Sequence, residues 1–147
     1  MRLFVRLVLL VAVVLVAIQF VPYGRDHANP ATVKEIRWDS SATRALAQGA
    51  CFACHSNLTQ WPWYTTVAPI SWLATRDVND GRAKLNFSEW QRPQEVDLKR
   101  VVDAIRGKGM PPLEYRLLHS EARLSGNERQ QLEQGLVASW TKDPPGR

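Results

Sequence analysis

Cys51 and Cys54 are the only cysteines in the chain, and His55 follows the second directly, in the stretch Cys51-Phe52-Ala53-Cys54-His55. Two thiols about one helical turn apart beside an imidazole are compatible with few structures. A zinc site requires four ligands, and the three histidines include His27 in a polar connector. A thioredoxin-like dithiol requires a preceding strand and a βαβ setting, yet no period-two alternation is long enough for a strand. A structural disulfide in an oxidising compartment is a further alternative. C-x-x-C-H is also the attachment pattern for c-type haem. Each thiol can add to one vinyl group of the porphyrin, and the adjacent histidine is held beneath the iron. In a chain with export features this last reading is favoured.

The export features lie at the N-terminus. Arg2 and Arg6 precede Leu7 to Ile18, a run without a polar side chain. A charged segment followed by an apolar core is the pattern of an export signal. Counted from Leu3 to Val21, it also approaches the ~20 apolar residues that span a bilayer. No small-x-small cleavage site follows, so a retained membrane-spanning helix over 1–22 is expected. The arginines before it place the remainder outside the cytoplasm. The expected location is the bacterial inner membrane with the domain in the periplasm, or a soluble periplasmic form after signal cleavage. The formal net charge is +5, but residues 31–147 carry 16 basic and 13 acidic side chains without a block. That mild excess does not indicate a nucleic-acid partner.

Residues 23–38 are rich in Pro, Gly and polar residues and read as a tether. A domain over 39–141 follows, with a C-terminal tail over 142–147. Asp39, Ser40 and Ser41 predict a capped helix running through Ala-rich sequence into the cysteine pair. Pro62 and Pro69 interrupt any long helix in the aromatic segment that follows, and Ser88 is placed to start a short one. Leu98, Val101, Val102 and Ile105 share one helical face, with Gly107 as a left-handed stop. Ser125 and Glu128 form a capping-box pattern ahead of Leu132, Leu136, Val137 and Trp140. The fold class is all-α. Its short helices, nine prolines and eight glycines make a thin core that a bound group would complete. Trp61, Trp63, Tyr64 and Trp72 are expected to pack on that group.

Met110, in a loop stiffened by Pro111 and Pro112, is the expected second axial ligand; the alternative for it is a gap-filling core residue. His119 is the rival, and an open position the remaining possibility. His55 is expected to donate its other ring proton to a carbonyl, with Pro62 or Pro69 as candidates. Trp63, Trp72, Arg82, Trp90 and Tyr115 are candidate donors to haem propionates.

The blocks "CFACHSNLTQWPWYTTVAPISWL", "DVNDGRAKLNFSEW" and "GKGMPPLEYRLLHSEARLSGNER" resemble the bacterial haem-binding domain family with a C-x-x-C-H motif, over about Trp38 to Trp140. The resemblance implies an envelope protein with one covalent haem c, similar to a mono-haem class I cytochrome c. It implies Cys51 and Cys54 as thioether residues, His55 as proximal ligand and Met110 as distal ligand. It also implies that the helix before Cys51 packs against the helix from Ser125. It implies no reaction. From the chemistry, the expected function is one-electron carriage between redox proteins of the cell envelope rather than catalysis. A haem-based sensor or gas-binding module and a peroxidase-like protein are the alternatives, and both need an open sixth position.

Overall fold

The computed structural model describes residues 1–146, and among these the regular structure is helical, with one isolated bridge and no extended strand. The chain divides into two compact units, Met1–Ala28 with Trp61–Asp77, and Asn29–Gln60 with the chain from Val78 onward.

The first unit opens with α1 (Arg2–Ile18), whose apolar side chains are exposed on every side. Its 17 residues rise about 26 Å, short of the roughly 30 Å of a bilayer's hydrocarbon core. Among the described residues no helix is long and apolar enough to cross a membrane, which corrects the expected membrane-spanning helix. At its end Gln19 keeps a right-handed backbone and donates from its side chain to the Leu15 carbonyl at 2.9 Å. Its side chain donates to the Ala68 carbonyl at 2.9 Å and accepts from the Ala68 amide at 3.0 Å. The aromatic segment forms a 3₁₀ turn at Trp63–Thr66 and then α4 (Ile70–Lys84); α2 and α3 belong to the other unit. Pro69 precedes α4 where a missing N–H costs nothing, so it starts this helix rather than interrupting one.

In the second unit, α2 (Ser41–Ala50) is capped by Ser40, whose hydroxyl accepts from the Thr43 amide. It runs into the single turn α3 (Phe52–His55). After the second half of α4 come α5 (Leu98–Arg106), α6 (Leu113–Leu118) and α7 (Gly126–Lys142). Ser125 and Glu128 close the expected capping box, with bonds of 3.3 and 2.8 Å. The small residues of α2 permit a close crossing with α7. A Cβ on Gly135 would lie 2.1 Å from Thr43 Oγ1, so only glycine allows the helices this near. The Asp39 amide also donates to Ser139 Oγ at 2.9 Å.

The core combines Phe52, Phe87, Trp90, Ile105, Leu132 and Leu136. Trp38 tilts over Phe52 and Phe87, and Trp140 meets Trp90 edge-on. Two expectations change here. The stretch read as a tether contributes Ile36, 2% exposed, to this core, and Lys34 bridges in parallel to Glu89. The short helix expected from Ser88 is a turn, because the Ser88 amide donates to Asn86 Oδ1 and its hydroxyl accepts from the Asn57 amide.

Candidate haem site

A cavity of about 300 Å³ opens beside this core, and the residues that line it all belong to the second unit. Cys51, His55 and Met110 meet there. Leu85, Phe87, Val96, Val101, Ile105 and Leu136 make the wall apolar. Phe87, Ile105 and Leu136 are also core residues, so the cavity continues the hydrophobic interior.

Local structure explains how each group arrives. Cys51 ends α2 and caps α3, and its carbonyl accepts from the amides of Cys54 and His55 at 3.2 and 2.9 Å. The turn thus holds the cysteines and histidine in one compact unit. His55 Nδ1 lies 3.1 Å from the carbonyl oxygens of both Gly81 and Leu85. Carbonyls only accept, so Nδ1 carries the proton and Nε2 keeps its lone pair for a metal. Burial lowers the His55 pKa, with the charge of Lys84 acting in the same direction, while the Leu85 and Gly81 carbonyls oppose them. Burial pushes the Cys51 thiol up to about 12, and Cys54 adds to the rise.

The carbonyl partners come from the end of α4, not from Pro62 or Pro69. Neither was legible beforehand, since α4 itself was not foreseen. Gly81 is what permits the approach. A Cβ there would lie 2.4 Å from the Cys54 carbonyl oxygen and 2.9 Å from Cys54 Cβ.

Met110 is brought to the cavity by the way α5 ends. The Gly109 amide donates to Ala104 O at 3.0 Å and the Lys108 amide to Ile105 O at 3.2 Å. This is a Schellman stop, whose left-handed residue is Lys108 (φ 58°) and not Gly107, which is right-handed. The Met110 amide also bonds Ala104 O, and Arg129 on α7 donates to the Ile105 and Met110 carbonyls. The loop is therefore fixed through its backbone, while Met110 itself is 41% exposed.

The other predicted residues lie elsewhere. Cys54 is half-buried against Gly81 and does not line the cavity. Trp61, Trp63, Tyr64 and Trp72 belong to the first unit and do not line it either. Trp61 stacks on His27 at 4.3 Å, Trp63 is 80% exposed and edge-on to Tyr64, and Trp72 Nε1 is buried without a hydrogen-bond partner. His119 stacks on Tyr115 and its Nδ1 bonds the Tyr115 carbonyl, away from the cavity lining. Arg82 donates to Ser56 O and Asn29, and Trp90 to Asp143 O.

The donor set fits a haem. An imidazole with a free nitrogen, a thioether sulfur and a thiol meet at an apolar wall, the surroundings that a porphyrin and its iron require. No group of three or more His, Cys, Asp or Glu side chains gathers among the described residues, and Cys51 and Cys54 are not joined in a disulfide. The chain belongs to the haem-binding domain family, whose sequence profile matches residues 13–138. No curated protein and no solved structure matches the chain.

Proposed function

We propose that this haem-binding protein is a mono-haem c-type cytochrome that relays single electrons in the bacterial cell envelope. The observation that carries the reading is the convergence of Cys51, His55 and Met110 on one apolar cavity. Cys51 and Cys54 would hold the haem through two thioethers, and His55 and Met110 would supply the protein's ligands to its iron. When bound, the haem supplies a one-electron ferric–ferrous couple. The Gly81 and Leu85 carbonyls orient His55 and fix its tautomer, and the Schellman stop of α5 presents Met110. The apolar wall would limit the water around a bound iron, which would favour the less charged, reduced form.

On this reading the domain is a carrier rather than an enzyme, its ligands standing at a largely apolar wall whose charged members are Lys84, Glu95 and Arg100. Its partners are redox proteins of the envelope. The unpaired apolar surface of α1 supports export and association with the inner membrane. A second reading, a sensor with a labile sixth position, is favoured by the exposure of Met110.

The full chain and a Met110→Ala variant, produced in a host that matures c-type cytochromes, separate these. Expected are haem retained on a denaturing gel, a low-spin wild type and a high-spin variant. A spectrum indifferent to Met110 would transfer the assignment to an open, ligand-binding iron. Absence of covalent haem would sink the c-type reading.

A further inference from the structure

Three charged side chains stand against the apolar cavity wall: Lys84 at the end of α4, Glu95 before α5, and Arg100 on α5. Elsewhere in the same unit, several basic groups are committed to acids. Arg44 pairs with Glu35, Arg92 with Glu89, Lys99 with Asp103, Arg106 with Glu133, and Lys34 with Asp143. The side chains of Lys84 and Arg100 have no hydrogen-bond or ion-pair partner among the described residues. Their positions are fixed from the backbone. The Glu95 amide donates to the Lys84 carbonyl at 3.0 Å, and the Arg100 amide donates to the Asp97 carboxylate that caps α5. Two elements thus bring two free cations to the rim of a cavity whose wall offers an anion nothing else.

A haem presents two propionate carboxylates along one edge. Carboxylates beside an apolar wall require charge-assisted partners, because an unpaired one carries the full cost of its lost hydration. On the haem reading given above, we propose that Lys84 and Arg100 are the cationic partners of the haem propionates. Glu95 is the one acid in the lining, so the rim keeps a net positive charge at neutral pH. His55 is neutral, and the guanidinium of Arg129 is engaged with the carbonyls of Ile105 and Met110. None of the donor candidates read from the sequence lines this cavity.

The test compares the full-length wild type with Lys84→Met, Arg100→Met, the double variant and Arg100→Lys, all matured in the same host. Both side chains are exposed, so the variants retain the fold, which circular dichroism checks. The readout is the pH dependence of the midpoint potential, which breaks where a propionate coupled to the iron titrates. Each Met variant is expected to move the break upward by about one pH unit, a tenfold change in acid dissociation, with the largest shift in the double variant. Arg100→Lys should return most of the shift. A potential lowered equally at every pH, with the break unmoved, would mean that the cations act only as distant charges and would overturn the proposal. Covalent haem in the wild type separates that outcome from failure of the haem reading itself, in which no variant carries haem.

Discussion

His55 shows how much of this site depends on a residue with no side chain. Its Nδ1–H is shared between the carbonyls of Gly81 and Leu85, and both carbonyls reach it because α4 touches the backbone of Cys54 at Gly81. Gly81→Ala therefore opposes two effects. Alanine gains about 1 kcal/mol of helix propensity. Its methyl would sit 2.4 Å from a backbone oxygen, a clash that no side-chain rotation relieves, and overpacking of this kind costs about 1–3 kcal/mol. The expected result is net destabilisation in a denaturant titration, with loosened His55 geometry. A more stable variant would mean that α4 can retreat at no cost. The candidate ligands were legible one by one, since C-x-x-C-H and a methionine ahead of two prolines are visible as text. Their orienting partners were not, because a backbone carbonyl has no sequence signature.

Among the elements, α5 could be read from its apolar spacing and α7 from its spacing and capping box, whereas α4 could not. Its fifteen residues lack a clean apolar face, and Pro69 looks like a break until the helix is seen to start behind it. The end of α5 holds a further contrast. The Schellman turn requires a left-handed residue, and the chain supplies Lys108 there (φ 58°) although Gly107 and Gly109 flank it. A left-handed L-residue costs roughly 1–2 kcal/mol. Lys108→Gly is expected to stabilise the protein by about 1 kcal/mol, read as a rise in urea midpoint, with the Met110 loop unchanged. An unchanged or lowered midpoint would show that the lysine side chain contributes more than its backbone strain removes.

Across the molecule, the chain ends of the second unit are joined by one carboxylate. Asp143 is 3% exposed. It accepts from the Arg37 amide at 3.0 Å and from Lys34 at 3.3 Å, while its own carbonyl accepts from Trp90 at 2.6 Å. Burial alone would raise its pKa, but the Arg37 amide and the Lys34 hydrogen bond and charge prevail, and the carboxyl lies below its usual range. A depressed carboxylate contributes stability above its unfolded pKa and loses it as pH falls through the folded value. Stability should therefore decline below about pH 4. Asp143→Asn should remove about 2 kcal/mol at neutral pH and flatten that decline, as acid unfolding followed by circular dichroism would reveal. What the sequence by itself determined is chemical and local: the C-x-x-C-H motif with its candidate partner Met110, the caps of α2 and α7, the all-α class and the mild charge. The tertiary structure decided which aromatics form the core, Trp38, Trp90 and Trp140 rather than the run from Trp61 to Trp72. It also decided that α1 stops at Ile18, and which carbonyls and cations face the cavity. The physical reason is range. Periodicity and capping act between residues three or four apart, whereas His55 meets Gly81, and Lys34 meets Asp143, only once the chain has closed on itself.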